Sequence, residues 1–306
     1  MPTPPAPEPD GQVNTENYET VNDAVAAVPD RGTVVLSADT TMTTPIVVDG
    51  GKDVTINLNG NVLTSEGAAA IEVTDGVVTL VNGTIAAHGA DALSLDTRVS
   101  GGQVEVNVGE DVVLTSDTDC CVYVAGNAVV NIAGELTATS SYCAVQGNGN
   151  PNSAGTVVNI TGGKITATDV AVYLPQDGEV NISDGIITGD AAVYCKSGKL
   201  NITGGQFIAN GAAREYEFNG NGCNSTGDAL IIDSCNYPGG APVVEVSGGQ
   251  FVSANNKAVG SYSYGESEVV TGFITGGTYS SDVSELCADG YKAIQIGSKW
   301  SVVKAA

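Results

Sequence analysis

Carboxylates are the residues in this chain with the clearest potential for chemistry. The 306 residues include 35 Asp and Glu and a single histidine, His88. Asp169 and Asp190 stand at equivalent positions in consecutive copies of a repeated pattern, and two carboxylates so placed could hydrolyse a glycoside. His88 lies in Ala87-His88-Gly89, a sequence typical of a surface turn. We therefore predict a protein without catalytic residues and keep the two aspartates as the alternative.

Divalent-cation binding is the other chemistry that acidic residues could support. Five aspartates fall one or two residues before a recurring alanine and are expected along one edge of the molecule: Asp91, Asp119, Asp169, Asp190 and Asp228. The sequence contains no calcium loop of the Asp-x-Asp-x-Asp-Gly type. Asp117-Thr118-Asp119 is the nearest match. We predict no bound metal and no cofactor, and we interpret the net charge of −24 as a surface property that favours solubility.

The charge balance disfavours several classes of partner. Only 11 Lys and Arg oppose the acidic residues, whereas nucleic-acid binding requires a basic stripe that neutralises phosphates. Nucleic acid, anionic membranes and polyanionic substrates are disfavoured for the same reason. No stretch of the sequence has the length and apolarity of a membrane span. Met1 to Asp10 holds five prolines instead of the apolar core of a signal peptide, which indicates either a processed chain or assembly in the cytoplasm.

A repeated phrase defines the elements that must position these residues. An alanine followed by a large aliphatic residue recurs at intervals of about 20 to 40 residues, the range typical of solenoid repeats. The copies begin at Ala70, Ala92, Cys121, Ala144, Ala171, Ala192, Ala229, Ala258 and Ala293. One coil cannot bury its apolar face alone, so neighbouring coils must stack.

Two further apolar columns indicate three short strands in each coil. The second column precedes a turn that usually holds glycine: Leu58, Leu80, Val108, Ile132, Ile160, Ile182, Ile202, Val246 and Ile274. The third column follows that turn: Val62, Ile85, Val112, Leu136, Ile165, Ile187, Phe207, Phe251 and Tyr279. Since alternate strand residues point inward, the columns predict an all-β, right-handed parallel β-helix of about nine or ten coils. The alternative is a β-sandwich with coincidental spacing.

Composition divides the chain into four segments. Residues 1–16 are Pro-rich and predict an extended arm. Residues 17–32 predict a capping helix, in which Thr20 is the N-cap and Asp23 completes a capping box. Residues 33–281 form the β-helix. Residues 282–306 form a C-terminal cap that contains a short helix and two strands around Gly297-Ser298, with the only tryptophan, Trp300.

Outward positions predict one structural ladder and one binding stripe. Asn107, Asn131, Asn159, Asn181 and Asn201 recur at one outward position and are expected to hydrogen-bond along the rod. Beside the alanine column, the outward residues are Tyr123, Gln146, Tyr173, Tyr194 and Ile231. An exposed tyrosine stripe suits a subunit interface, for which we expect a homotrimer, or the stacking of a sugar.

Two insertions interrupt the repeat, at residues 147–155 and 211–227. Insertions in a solenoid gather on one side and often form the binding face. The longer insertion carries Arg214, Tyr216 and Phe218, which join Tyr123, Tyr173 and Tyr194 as candidate binding residues. A tolerated surface loop is the alternative.

Seven cysteines leave at least one thiol unpaired. The register points Cys121 and Cys195 into the core, where a thiol behaves as a small apolar group. The sequence favours reduced, buried thiols. A Cys223–Cys235 disulfide that closes the longer insertion is the alternative.

The opening of the repeat region consists of Tyr18-Glu-Thr-Val-Asn-Asp-Ala-Val followed by Gly32-Thr-Val-Val-Leu. This helix-then-strand opening resembles the start of pectin-lyase-like right-handed β-helix proteins, and the resemblance covers residues 18–303. The phrase Asn-Ile-Thr-Gly-Gly and the segment Ile274-Thr-Gly-Gly-Thr-Tyr-Ser-Ser-Asp-Val-Ser-Glu are similar to repeats in surface proteins of gut bacteria and in fibre proteins of their phages. This fold hosts lyases, hydrolases, adhesins and phage spikes, so the resemblance is more specific for fold than for function.

The absence of the catalytic patterns of these families favours a structural or binding protein rather than an enzyme. The polygalacturonase-like patterns Asn-x-Asp, Asp-Asp, Gly-His-Gly and Arg-x-Lys do not occur in the sequence, and Arg31, Arg98 and Arg214 join no acidic cluster of the pectate-lyase kind. We expect a phage virion fibre or capsid decoration, assembled in the host cytoplasm. It would be held by a capsid or fibre-anchor protein and would attach to a host-surface glycan. A bacterial cell-surface adhesin and a polysaccharide depolymerase are the alternatives.

Overall fold

The computed structural model describes residues 11–305 and shows a parallel β-solenoid of about 11 turns. The predicted all-β parallel β-helix is confirmed, with slightly more turns than the nine or ten expected. Three sheets run along the rod, and between Gly32 and Ser263 successive strands belong to the first, second and third sheet in turn. Long-range parallel pairing between consecutive turns therefore holds the whole solenoid together.

The three sheets are defined by the following strands. Sheet 1 contains Gln12–Asn14, Gly32–Val35, Lys52–Asn57, Gly76–Val81, Val104–Val108, Ala128–Ile132, Val157–Ile160, Glu179–Ile182, Lys199–Ile202 and Val243–Val246. Sheet 2 contains Thr40–Met42, Val62–Glu66, Gly83–His88, Val112–Ser116, Glu135–Ala138, Lys164–Ala167, Ile186–Gly189, Gln206–Ala209, Gln250–Ser253, Thr278–Tyr279, Tyr291–Ile296 and Lys299–Lys304. Sheet 3 contains Ile46–Val48, Ile71–Val73, Leu93–Asp96, Val122–Ala125, Val145–Gln146, Val170–Leu174, Ala191–Cys195, Leu230–Ser234 and Val259–Ser263.

The interior consists of ladders of aliphatic residues, as the period-2 pattern of the strands requires. The alanine column from Ala70 to Ala258 is fully buried, and Cys121 and Cys195 lie in the same core, as predicted. Towards the C-terminal end, the column in sheet 2 becomes aromatic. The rings of Phe207 and Phe251 stack with centroids 4.5 Å apart, and Tyr279 stacks on Phe251 at 5.1 Å.

The predicted columns are shifted by one or two residues in the early coils. In the second column, Ile56 occupies the position predicted for Leu58. In the third column, Leu63 replaces the predicted Val62 and Leu114 replaces the predicted Val112. Leu58 is fully buried but follows the end of its strand, where Asn59 and Gly60 adopt positive φ angles. The turn between sheets 1 and 2 is thus longer in these coils. Counting residues from the turn therefore does not predict which residues point inward there.

A helix caps the N-terminal end of the rod, as predicted. Val21–Ala27 is α-helical, and Thr20 and Asp23 form the expected capping box: the Asp23 amide donates to Thr20 Oγ1 at 3.1 Å, and the Thr20 amide donates to Asp23 Oδ2 at 3.0 Å. Asn22 joins the helix to sheet 3, since its side chain donates to Pro45 O and accepts from the Val47 amide. The exposed edge of the first coil is therefore covered.

The segment ahead of the helix is partly described. Residues 1–10 of the predicted arm lie outside the described residues. Gln12–Asn14 forms a parallel strand against Gly32–Val35, and Thr15–Asn17 is a 3-10 helix. The solenoid therefore begins before the capping helix.

An antiparallel hairpin closes the C-terminal end. Tyr291–Ile296 pairs with Lys299–Lys304, and the latter strand also pairs antiparallel with Thr278–Tyr279. The short helix expected near residue 282 is the 3-10 helix Ser284–Leu286. Ala293 belongs to this hairpin, so the ninth copy of the alanine phrase is not a coil and that assignment is wrong.

The predicted asparagine ladder runs along the outer face of sheet 1. Four consecutive amide–amide hydrogen bonds of 2.7 to 3.0 Å join Asn107, Asn131, Asn159, Asn181 and Asn201. The ladder ends at Asn201 because the next residue in register is Glu245. Thus the outer face of sheet 1 is held by side chains as well as by backbone pairing.

Glycines allow the turns of adjacent coils to stack closely. Gly163 has a φ of 74°, and a Cβ there would lie 1.9 Å from Gly134 O in the preceding coil. Only glycine fits this position, because both the backbone conformation and the available space exclude a side chain.

Candidate functional site

Two insertions meet over the outer face of sheet 3. We call residues 147–155 the first insertion, which contains the 3-10 helix Pro151–Ser153, and residues 211–227 the second insertion. Beneath them, Tyr123, Gln146, Tyr173, Tyr194 and Ile231 occupy consecutive register positions of sheet 3, as predicted. The insertions therefore lie on the same side of the rod, directly on the tyrosine stripe.

The prediction that the tyrosine stripe is exposed to solvent is wrong. Tyr173 is only 7% exposed, and Tyr194 and Ile231 are fully buried. They form a separate apolar cluster with Cys143, against which Cys223 of the second insertion packs. Because this surface is already covered, it provides no apolar stripe for a subunit interface. The homotrimer stays a prediction without that physical basis.

A buried ion pair holds the second insertion in place. Lys196 and Asp233 are neighbours in adjacent coils, and Lys196 Nζ lies 3.6 Å from Asp233 Oδ2 with both side chains fully buried. The ammonium group also donates to two backbone carbonyls of the second insertion, Asn219 O and, at 2.6 Å, Gly222 O. The Tyr237 ring lies 4.4 Å below the cation. The lysine thus ties the insertion to the rod.

Tyrosines complete the hydrogen bonding of Asp233. Tyr194 donates to Oδ2 at 2.8 Å, and Tyr216 donates to Oδ1 at 2.7 Å. Burial, followed by the charge and hydrogen bonding of Asp233, raises the pKa of Tyr194. Burial, then the hydrogen bond to Asp233, raises the pKa of Tyr216 as well. Both phenols therefore remain protonated donors, and the carboxylate is fully satisfied although it is buried.

Aromatic stacking fixes the remainder of the second insertion. Tyr216 stacks on Tyr262 with centroids 4.8 Å apart, and Phe218 stacks on Tyr264 at 3.9 Å. Tyr262 in turn donates to the buried Asp228 at 2.6 Å. Candidate residues Tyr216 and Phe218 therefore position the insertion, rather than standing free for a ligand.

A cleft of about 680 Å³ lies between the two insertions. Its polar lining is dominated by side-chain amides: Gln146, Asn148, Asn150, Asn219, Asn221 and Asn236. Its aromatic lining consists of Tyr142, Tyr173, Phe218 and Tyr237. Tyr142 is the most available of these rings, with 47% of its surface exposed. The cleft therefore offers amide donors and acceptors beside one well exposed aromatic ring, that of Tyr142.

The cation in the cleft lining, Arg98, is paired with a carboxylate. Arg98 binds Asp96 through two hydrogen bonds of 2.6 and 2.9 Å, and it also donates to the phenol of Tyr123 at 3.0 Å. Asn148 of the first insertion donates to the same phenol at 2.7 Å. The candidate binding residue Tyr123 thus lies beneath the cleft and positions Arg98 and Asn148 through these hydrogen bonds. Burial, assisted by the charge of Asp190, raises the pKa of the lining carboxyl Asp169. With Arg98 already paired, the lining offers a ligand mainly uncharged polar groups.

Asp190, one of the two alternative catalytic aspartates, and the single histidine are engaged in other contacts. Asp190 forms an ion pair with Arg214, which also donates to Ser225 O at 3.3 Å within the second insertion. Arg214 is therefore another positioning residue. His88 lies outside the cleft and hydrogen-bonds Asp117 at 2.6 Å, and this bond is the main cause of its raised pKa.

Asp91 and Asp119, two of the five aspartates expected along one edge, lie together with Cys120. Asp91, Asp119 and Cys120 place one ligand-type atom each within 4.8 Å of one another. Burial, followed by the charge of Asp119, raises the pKa of Asp91 to about 7. The Cys120 thiol donates to Asp119 at 3.5 Å. The Cys120 amide donates to Asp91 Oδ1 at 3.1 Å, so hydrogen bonds from Cys120 join the two aspartates.

Sequence reasoning located both insertions but missed the residues that join them to the rod. Lys196, Asp233 and Tyr237 carry no recognisable motif. One signal for them was present in the sequence. Lys196 directly follows the apolar strand Ala191–Cys195, and the residue in register with it in the next coil is an aspartate, Asp233.

Comparison with protein-family models, curated proteins and solved structures finds no match for this chain. The pectin-lyase-like and phage-fibre relationship thus remains a resemblance based on sequence phrases. In residues 11–305, no helix has the length and apolarity needed to cross a membrane.

Proposed function

We propose that this protein is a non-enzymatic attachment module that binds a neutral glycan in the cleft between its two insertions. The observation that carries the proposal is the lining itself, in which six side-chain amides stand beside aromatic rings. Sugar rings present hydroxyl groups at their edges and apolar C–H faces, which match amides and aromatic rings respectively. The net charge of −24 argues against a polyanionic glycan.

The architecture supports presentation of the cleft on a rigid stalk. The cleft lies on the side of a rod of about 11 turns, and hydrogen bonds to the rod hold both of its walls before any ligand arrives. A preformed site avoids the entropic cost of ordering loops on binding. A phage fibre or capsid decoration would use such a rod for host attachment. We retain that assembly as the proposed context, with a bacterial cell-surface adhesin as the alternative, and mass spectrometry of purified virions tests it.

A glycan panel tests the binding role. We expect the full chain to retain one or more neutral oligosaccharides and to release no new reducing ends from them. Tyr142→Ala and Asn221→Ala each remove one exposed contact from the cleft and should weaken binding by about fivefold to tenfold. Gln295→Ala changes an exposed side chain on the distant C-terminal hairpin and should bind as the wild type does. Equal affinity in all four proteins, or retention of polyanionic glycans only, contradicts the proposal.

A further inference from the structure

Two thiols lie in the same side-chain cluster where the second insertion meets the rod. Cys143 is 3% exposed and belongs to the apolar cluster beneath the insertions, and Cys223 of the second insertion packs against that cluster. Both residues line the cleft. Cys223 is only half-buried, so a small molecule that enters the cleft can reach one member of the pair.

The environment distinguishes this pair from the other cysteines. The Cys223 side chain is the largest influence on the Cys143 thiol and, together with burial, raises its pKa well above the ordinary value. Cys120, the neighbour of Cys143 along the rod, instead directs its thiol to Asp119 at 3.5 Å. Cys235, the partner of Cys223 in the sequence-based alternative, is buried and lies outside the cleft lining that Cys143 and Cys223 share. Cys143 is therefore the better placed partner for Cys223.

We propose that Cys143 and Cys223 form a thiol–disulfide latch that fastens the second insertion over sheet 3. The chemical partner is a low-molecular-weight disulfide such as oxidised glutathione. The Cys223 thiolate attacks that disulfide, forms a mixed disulfide and expels one small thiol. Cys143, deprotonated as it approaches, then attacks the Cys223 sulfur and expels the second small thiol. Two electrons pass from the protein thiols to the small disulfide, and two protons balance the two thiols released.

The order of attack follows from exposure. A thiol must be accessible and ionised to begin exchange, and Cys143 is buried with a raised pKa. Cys223 is therefore the entry point, and Cys143 is the resolving thiol. The latch would reinforce the non-covalent contacts from Lys196 and Tyr173 to Gly222 O, which lies one residue before Cys223.

The consequence for the cleft rests on the proposed function. The covalent bond would hold one wall of the cleft at a fixed position, so the oxidised protein should bind glycan more tightly than the reduced protein does. A bridge between residues 143 and 223 also closes a long chain segment and restricts the unfolded state, so it should raise the melting temperature.

Peptide mapping of the full chain after incubation with oxidised glutathione tests the latch. We expect the intact mass to fall by two hydrogens, a linked peptide that contains Cys143 and Cys223, and a higher melting temperature. Cys235→Ser should behave identically, whereas Cys143→Ser should stop at a stable glutathione adduct on Cys223. A Cys223–Cys235 or Cys120–Cys143 linkage, or a persistent adduct on wild-type Cys223, overturns the latch. Because the mapping needs no glycan, a missing linkage refutes the latch alone and absent glycan binding refutes the proposed function alone.

Discussion

Lys196 and Asp233 lie 3.6 Å apart, Nζ to Oδ2, and neither side chain is exposed. They occur in adjacent coils of sheet 3, and the lysine also binds two carbonyls of the second insertion. One residue thus links the stacking of the coils to the position of a segment that covers the tyrosine stripe. The cleft exists because that segment folds back onto the rod instead of projecting from it.

Replacement of the buried lysine should release the second insertion. Lys196→Met leaves the Asp233 carboxylate buried without its cation and removes two bonds to the insertion, so we expect a loss of about 3–5 kcal/mol in unfolding free energy. Denaturant titration measures this loss. The double variant Lys196→Met with Asp233→Asn should recover at least about 1 kcal/mol, since no unpaired charge remains. Equal stability of the two variants would mean that the pair is not coupled as described.

Charge in the inward ladder should destabilise the solenoid. Val172 is 1% exposed and lies between Val145 and Val193 in register, so Val172→Asp buries a carboxylate without a partner and should cost several kcal/mol, on the order of 3–5. Val243→Asp is the control, because Val243 is 57% exposed and adjoins Lys199 in register. Thermal melting should separate the two variants clearly. A normal melt for Val172→Asp would contradict the register.

The asparagine ladder should contribute measurable stability. Asn159 donates to Asn131 and accepts from Asn181, so Asn159→Ala removes two hydrogen bonds and should cost about 1–3 kcal/mol. Thr55→Ala alters an outward position of the same sheet in an earlier coil and should stay within about 0.5 kcal/mol of the wild type. Urea unfolding monitored by circular dichroism compares the two. Similar unfolding free energies for both variants would show that the hydrogen bonds of the ladder do not contribute to stability.

Stability should depend on the protonation of Asp91. Its pKa is about 7 in the folded protein, against 3.8 as the ordinary value. Between these values the folded state binds a proton that the unfolded chain has lost, so the unfolding free energy decreases as pH rises through this window. Asp91→Asn can keep the acceptor for the Cys120 amide and has no proton to lose. We expect the melting temperature of the wild type to fall between about pH 5 and about pH 8, and the fall to be smaller in Asp91→Asn.

The pH prediction needs a control because His88 should also make the folded state less stable as pH rises. Its raised pKa also favours the folded state at low pH, although the side chain is exposed. His88→Gln should leave most of the pH dependence in place. If His88→Gln abolishes the dependence and Asp91→Asn does not, the assignment to Asp91 is wrong.

Periodic features of this fold could be predicted from the sequence, and features set by long-range contacts could not. The alanine column, the asparagine ladder and the Thr20–Asp23 capping box follow from local spacing or turn chemistry, and all three are confirmed apart from the copy at Ala293. The prediction that Tyr173 and Tyr194 are exposed is wrong because no local sequence pattern determines whether an insertion projects from the rod or folds back onto it. That outcome depends on Lys196, which is distant in sequence from Asn219 and Gly222.

Hydrogen exchange of the full chain, with and without a neutral oligosaccharide retained from the panel, tests the central claim most directly. A ligand in the cleft should protect backbone amides of both walls, at residues 146–150 and 218–223, and should leave the outer face of sheet 1 unchanged. Simultaneous protection of the two segments is the result that the account predicts. Protection confined to the asparagine ladder of sheet 1 or to the C-terminal hairpin would place the ligand elsewhere and contradict the account.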